Sequence, residues 1–311
     1  MINIPYKELN NNNSRFSPGL QFLIFFFLFV FVLIAANIIG GVFVAAIYGT
    51  KTLVALTTLN TTAPNFTSAL WIMQLVGTTL PIFASPVIFA YFIVADPADY
   101  IKPGLKFSWL LLPVVLAVML ISNPLIELLS NINAKMVLPP YLQWMKDKED
   151  DAQKMTAAML QMKNVWDVIV NILLIGLLTA IVEEFMFRGC LQTIFIRWTK
   201  NKHVAIWITA ILFSAFHIEF YGFLPRLLLG AFFGYFVAWS GSIWPGVWAH
   251  FINNGTAVVA TYLYQKKVFK TNPDDQHIFN STAYIISFII VLFLLYFYRN
   301  ITLNKHRINN G

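Results

Sequence analysis

Long apolar runs alternate with short polar connections along the whole chain. About 20 consecutive apolar residues are needed to cross the hydrocarbon core of a bilayer, and eight runs approach or exceed that length. The connections carry the Pro, Gly and Asp residues that are typical of turns, as at Asp96-Pro97 and Lys102-Pro103-Gly104. The pattern therefore predicts an all-α, polytopic bundle of about eight transmembrane helices. The predicted spans are 20–48, 69–95, 108–130, 166–197, 203–219, 223–240, 243–264 and 281–299.

The connection 131–165 is the one substantial segment predicted outside the membrane. It contains the mixed-charge run Lys146–Asp151, which favours a surface or interfacial helix. A solvated helical loop is a better interpretation of this run than a binding element. The predicted units are a polar N-terminal tail (1–18), N-terminal transmembrane helices (19–130), the extramembrane or interfacial segment (131–165), a four-helix core (166–264), and a loop, last helix and basic tail (265–311).

Composition strengthens the assignment to the membrane. Of the 311 residues, 58% are apolar and only 11% are charged, against about 25% charged in soluble domains. The net charge of +7 comes from cations that lie mostly in short loops and tails, where anionic lipid headgroups account for them, so no nucleic-acid partner is expected. Their distribution favours a cytoplasmic N-terminus. Cys190 is the single cysteine, which rules out an internal disulfide and a cysteine-based zinc site.

Two adjacent acids interrupt the fourth predicted span. Glu183 and Glu184 lie in the apolar run 171–189, and Arg188 follows one helical turn later. A charged side chain near the bilayer centre costs at least ~2.5–3.5 kcal/mol, so apolar packing gives no reason for these residues. Residues four apart share a helix face, which predicts a Glu184–Arg188 pair. Glu183 points about 100° away and is left for other chemistry.

Two histidines in later spans each lie four residues, or about one helical turn, from a second candidate residue. Phe213 and His217 are four apart, as are His250 and Asn254. A lone histidine on an apolar helix is more often structural, but several polar groups in neighbouring spans each need a buried partner. We expect them to surround one wet cavity with Glu183.

These residues can line one cavity only if they lie at the same depth in the membrane. Glu183 and His217 are equally far from a turn predicted near Lys200, whereas His250 is much closer to the turn near Gly241. The residues become level only when the hairpin 188–203 projects beyond the bilayer.

Carboxylate, imidazole and amide groups together suit two kinds of hydrolytic site. A carboxylate acts as a general base on water while histidine and asparagine donors stabilise an oxyanion. Alternatively, Glu183, His217 and His250 supply the one carboxylate and two imidazoles of a catalytic zinc site. Spacing does not decide between them, so a divalent metal such as zinc is an open cofactor alternative. The sequence has no nucleophile elbow, His-Glu-x-x-His helix, phosphate loop or Rossmann fingerprint.

The sequence resembles the CPBP family (CAAX prenyl protease and bacteriocin-processing, also called Abi), which are multi-span intramembrane proteases. The resemblance covers about residues 166–264, and the stretch 239–250 is similar to the bacterial branch. Three motifs in order carry it: Glu183-Glu184-x-x-x-Arg188, Phe213-x-x-x-His217 and His250-x-x-x-Asn254.

The resemblance implies an intramembrane endopeptidase in a bacterial cell membrane. Its substrate would be a membrane-associated peptide or a membrane-protein segment; a prenylated cysteine is not implied, because the sequence looks bacterial. A non-catalytic immunity or scaffold protein of the same family, and an ion-coupled transporter, are the alternatives. The implied roles are a water-activating base at Glu183 working with His217, oxyanion stabilisers at His250 and Asn254, and orienting residues at Glu184, Arg188 and Phe213.

Overall fold

The apolar runs fold into helices throughout the part of the chain that the structure describes. The structure is a computed structural model and describes residues 16–94, 96–270 and 278–309, in which no strand occurs. The predicted all-α membrane bundle is confirmed, while most of the predicted N-terminal tail lies outside the described residues. The helices are α1 (Pro18–Tyr48), α2 (Thr50–Thr57), α3 (Phe66–Ile93), α4 (Pro97–Ile101), α5 (Leu111–Ile121), α6 (Asn123–Ala134), α7 (Gln143–Met159), α8 (Val165–Thr199), α9 (Lys202–Phe216), α10 (Phe223–Ser240), α11 (Trp244–Gln265) and α12 (Ser281–Asn309).

Six of the eight predicted spans are long and apolar enough to cross a membrane. Five are single helices, namely α1, α3, α8, α10 and the Ser281–Leu303 part of α12, and the sixth is the bent pair α5–α6. Helix α9 has 15 residues and is shorter than a full span. Helix α11 has 22 residues, but it carries His250, Asn253 and Asn254 and is less apolar than the others. Eight crossings are compatible with this architecture.

The third predicted span is broken in the middle. The sequence pattern predicts one helix over 108–130, whereas α5 and α6 meet at 42° and α6 runs on to Ala134. Pro124 at the start of α6 lacks the backbone N–H that a continuous helix requires. The side chains of Ser122 and Asn123 donate to the carbonyls of Met119 and Leu120, at 3.0 and 3.1 Å. These bonds satisfy carbonyls that the bend frees.

The two turns that flank the polar residues differ in how far they are covered. Helix α8 has 35 residues, or roughly 50 Å at about 1.5 Å per residue, and its turn into α9 at Lys200–Asn201 is exposed. The turn between α10 and α11 is instead covered by the segment 102–104. The backbone N–H of Ile243 donates to Lys102 O at 3.0 Å, and Ser242 Oγ donates to Gly104 O at 2.6 Å. The first turn is thus exposed and the second is covered, and the projection of the hairpin 188–203 beyond the bilayer stays a prediction.

Helices α9 and α10 approach closely through Gly230 and Gly234. A Cβ at Gly230 would lie 3.2 Å from the Cα of Ala210. At Gly234 it would lie 2.7 Å from Gln192 Oε1 and 2.9 Å from Ile206 Cγ2. The small-xxx-small spacing therefore sets the distance between these helices.

We expect Gly234→Ala to destabilise the bundle. The higher helix propensity of alanine returns about 1 kcal/mol, but overpacking a dense interface costs about 1–3 kcal/mol, and here two neighbours must move. The midpoint of thermal unfolding in detergent should fall by a few degrees. Gly104→Ala is the control, because nothing lies within 4 Å of a Cβ at that position. A Gly234→Ala protein as stable as the parent would contradict this packing.

Candidate active site

The two glutamates lie in a short α-helical stretch between two π-helical segments of α8. The segments are Ile172–Leu178 and Phe185–Leu191, and the stretch between them is Thr179–Glu184. Wide turns of this kind occur frequently at functional sites. The side chains of Glu183 and Glu184 are both buried, at 7% and 0% exposure. The local distortion was not predicted, since no Pro marks it in the sequence.

Glu184 is the centre of a buried ionic cluster. Arg188 Nη1 donates to Glu184 Oε1 at 2.7 Å, and both side chains are fully buried, so the expected pair is present. His250 Nδ1 donates to the same oxygen at 3.1 Å, which sequence spacing did not indicate. Arg188 Nη2 also donates to Gly230 O at 3.0 Å. Glu184 thus anchors both the guanidinium and the imidazole.

Aromatic rings enclose the Arg188 guanidinium. Its central carbon lies 4.4 Å from the ring centroid of Phe213 and 5.2 Å from that of Phe233. Such cation–π contacts add to the ion pair in a desolvated site. Phe233 also stacks on His250 at 4.8 Å, and Phe213 meets the edge of His217 at 5.1 Å. Phe213 therefore contacts both the ionic cluster and a candidate base.

Glu183 faces His250 from the other side of the imidazole. His250 Nε2 lies 3.8 Å from Glu183 Oε2, which is longer than a hydrogen bond. Among the described residues, that carboxylate oxygen has no hydrogen-bond partner although it is buried. Leaving a buried acceptor unsatisfied costs about 1–3 kcal/mol or more for a charged group. A water molecule that contacts Oε2 and Nε2 would satisfy both atoms.

The tautomer of His217 follows from its hydrogen bond. His217 Nδ1 lies 2.8 Å from the carbonyl oxygen of Phe213, one helical turn earlier. A carbonyl only accepts, so Nδ1 carries the proton and Nε2 of the neutral ring is an acceptor. His217 therefore offers a basic nitrogen next to Glu183.

The amide of Asn254 is already engaged with the backbone. Its Nδ2 donates to Ile175 O in the first π-helical segment of α8, at 3.3 Å. Its Oδ1 accepts from Asn253 Nδ2 at 3.1 Å. Asn254 therefore joins α11 to α8 and belongs to a pair of adjacent amides.

One cavity of about 90 Å³ collects most of the predicted residues. A water molecule in the liquid takes up about 30 Å³, so the cavity has room for several. Glu184 and Arg188 do not line it and lie behind it as support. The lining residues are Thr179, Glu183, Phe213, His217, Arg226, Leu229, Phe233, His250, Asn253 and Asn254.

Arg226 is the main lining residue that the sequence analysis missed. It pairs with Glu219 across the loop before α10, and Gly222 leaves room for its guanidinium. A Cβ at Gly222 would lie 1.8 Å from Arg226 Nη1. The signal was available, because a cation in an apolar span carries the same cost that singled out the glutamates. Asn253 and Thr179 were also missed, and neither has a distinctive spacing.

The three predicted metal ligands are Glu183, His217 and His250. In the described part of the chain, no three His, Cys, Asp or Glu side chains are grouped as a metal site requires. All three predicted ligands line the cavity, and Nδ1 of His250 is bound to Glu184 while Nδ1 of His217 is bound to a backbone carbonyl. Such bonds leave Nε2 of both rings available and also orient histidines that bind a metal, so the zinc alternative stays a prediction.

Fold and site together define the class: an all-helical membrane protein with a buried cavity of carboxylate, imidazole and amide groups. Residues 165–256 match the family described as "type II CAAX prenyl endopeptidase Rce1-like". The match confirms the resemblance to the CPBP family that the three motifs carry, for this segment of the chain.

One curated relative is an uncharacterised protein of Bacillus subtilis (strain 168), YpbD. It is 28% identical over 112 residues, which cover 35% of this chain. The chain spans about half the length of that relative, at 53%. No solved structure matches the chain.

Proposed function

We propose that the protein is an intramembrane endopeptidase that hydrolyses a peptide bond of a membrane-associated peptide or protein. One observation carries this proposal: Glu183 and His217, whose Nδ1 is already bound to a carbonyl, line one cavity large enough for water and a peptide carbonyl group. The family description of residues 165–256 supports the same activity class.

In the proposed reaction, Glu183 and His217 activate a water molecule. The carboxylate of Glu183 takes one proton of the water as it attacks the scissile carbonyl carbon. The unprotonated Nε2 of His217 accepts the other hydrogen bond of the water and orients it. Glu183 then returns its proton to the leaving amine. A carboxylate without a protein hydrogen-bond donor suits this role, because nothing in the described residues competes with water for its Oε2 atom.

Negative charge develops on the carbonyl oxygen in the tetrahedral intermediate. Donors fixed before the reaction stabilise such charge most effectively. We assign this role to the imidazolium form of His250, in which Nδ1 donates to Glu184 and Nε2 is a second donor, and to the amide pair Asn253–Asn254. Ordered contacts from Phe233 to His250 and from Ile175 to Asn254 keep these donors in place.

The proposal predicts that His217→Ala lowers the rate of cleavage by at least about a hundredfold. Removing a general acid or base typically costs 10²–10⁴ in rate. The measurement is single-turnover cleavage of a fluorescent membrane-anchored peptide library by the purified protein in liposomes. His203→Ala is the matched control, since His203 lies at the other end of α9 and contacts Tyr235 instead of the cavity. Unchanged cleavage by His217→Ala would contradict the proposed role of His217 in activating water together with Glu183.

The same preparation tests the zinc alternative. We expect the active protein to contain no stoichiometric metal by mass spectrometry and to keep its rate after treatment with a chelator. Loss of activity on chelation and its recovery with zinc would contradict the metal-free mechanism and support the zinc site. A parent protein that binds a peptide but never cleaves it would favour the scaffold or immunity role.

A further inference from the structure

The loop that follows His217 is held in an unfavourable backbone conformation. Ile218 has φ +55°, a left-handed conformation that is rare for β-branched residues. Such conformations persist only where surrounding contacts determine them, and they cluster at functional sites. This loop, residues 217–222, begins with a candidate base that lines the cavity and ends four residues before Arg226, which also lines it.

Two buried side chains from outside the family-matched segment also hold this loop. Asn133, at the end of α6, is 1% exposed. Its Nδ2 donates to Phe220 O at 2.8 Å, and its Oδ1 accepts from Leu224 N at 2.7 Å. Glu149 of α7 is 4% exposed and accepts from Tyr221 N at 3.1 Å. Two side chains thus bind three backbone groups around the loop.

Glu149 differs from the other acids of α7. Asp147 is exposed, while Asp150 and Asp151 are partly exposed and form surface pairs with lysines. A carboxylate is costly to bury unless hydrogen bonds compensate, so the inward position of Glu149 indicates a specific contact. Lys146 lies 5.6 Å from the ring centroid of Tyr221 and adds a second contact from the same helix. Helix α7 is therefore docked on the loop and is more than a solvated connection.

We propose that Asn133 and Glu149 are positioning residues of the active site, which hold the loop 217–222 so that His217 and Arg226 face the cavity. The segment 131–159 then belongs to the same functional unit as residues 165–256. The consequence for activity rests on the proposed endopeptidase function. The consequence for the loop conformation does not.

The test compares Glu149→Ala, Glu149→Gln and the control Asp147→Ala in the full-length protein. Amide hydrogen exchange, read by mass spectrometry, should become about ten- to a hundredfold faster in residues 218–224 of Glu149→Ala, the range expected from losing a charge-assisted hydrogen bond. In Glu149→Gln the amide oxygen still accepts from Tyr221 N, so exchange should stay close to the parent. The cleavage rate constant kcat should fall about tenfold in Glu149→Ala, with KM within a factor of two.

Asn133→Ala provides the second variant and should open the same peptide. Unchanged exchange of residues 218–224 in both alanine variants would overturn the proposal, whatever the activity. Faster exchange across all helices would also overturn it, because the two residues would then support the whole fold. A parent protein without cleavage activity would contradict the proposed function alone, and local exchange would still decide the positioning role.

Discussion

Glu183→Gln is expected to leave the protein folded and to abolish cleavage. The substitution conserves shape and removes the base that takes a proton from water, so the rate should fall by at least about a hundredfold. Thermal unfolding should stay within a few degrees of the parent or rise, because the substitution removes a buried carboxylate whose Oε2 lacks a hydrogen bond among the described residues. Cleavage of the reconstituted peptide and thermal unfolding in detergent measure the two effects on one preparation.

The neighbouring residue provides the matched control for this result. Glu184→Gln makes the same chemical change one position later, but it removes the negative charge that Arg188 and His250 both contact. We therefore expect a clear loss of stability in Glu184→Gln, which Glu183→Gln should not show. Full cleavage activity in Glu183→Ala would remove Glu183 from the mechanism. Equal instability of both glutamine variants would contradict the division of roles between the two acids.

Arg188→Met should be the most destabilising substitution of the site. Removing one partner of a buried pair typically costs about 3–5 kcal/mol, because the remaining charge is left uncompensated. Both Arg188 and Glu184 have 0% exposure, and the guanidinium also binds Gly230 O. Methionine keeps much of the volume beside the rings of Phe213 and Phe233. Chemical unfolding in detergent, followed by the fluorescence of tryptophan, measures the loss.

A double variant separates charge from packing. With Glu184→Gln added to Arg188→Met, no unpaired charge remains, so the double variant should be more stable than Arg188→Met alone. Additive losses in the double variant would show that the arginine contributes by packing and that the ion pair has little part. Cleavage should be low in the double variant, since there His250 loses the carboxylate that orients its Nδ1.

Energetic cost and helical spacing predicted the centre of the site. Glu183 and Glu184 are conspicuous because apolar spans rarely hold acids, and spacing of four predicted the pair with Arg188. The same spacing selected His217, His250 and Asn254, all of which line the cavity together with Glu183. Their roles stay predictions until activity is measured. The all-helical membrane fold followed from the apolar runs, which dominate the sequence.

Contacts between distant parts of the chain could not be predicted from helical spacing or energetic cost. His250 binds Glu184 across 66 positions, and Asn133 binds the loop at Phe220 across 87. No local periodicity encodes such pairs. The π-helical turns of α8 and the bend at Pro124 were also missed, since proline in a span predicts a kink or an end without fixing which. Arg226 was overlooked, although the sequence shows a cation in an apolar run and therefore an energetic cost of insertion.

The short length of α9 has a consequence for the lipid around it. Its 15 residues extend only about 22 Å, well below the ~30 Å of the hydrocarbon core. A bilayer adapts to a short helix by thinning locally, at a cost of fractions of a kcal/mol per ångström. His217 is the residue at which this helix ends. Lipid headgroups and their water would therefore sink towards the histidine, and a peptide lying at the membrane surface would have less hydrocarbon to cross to reach it.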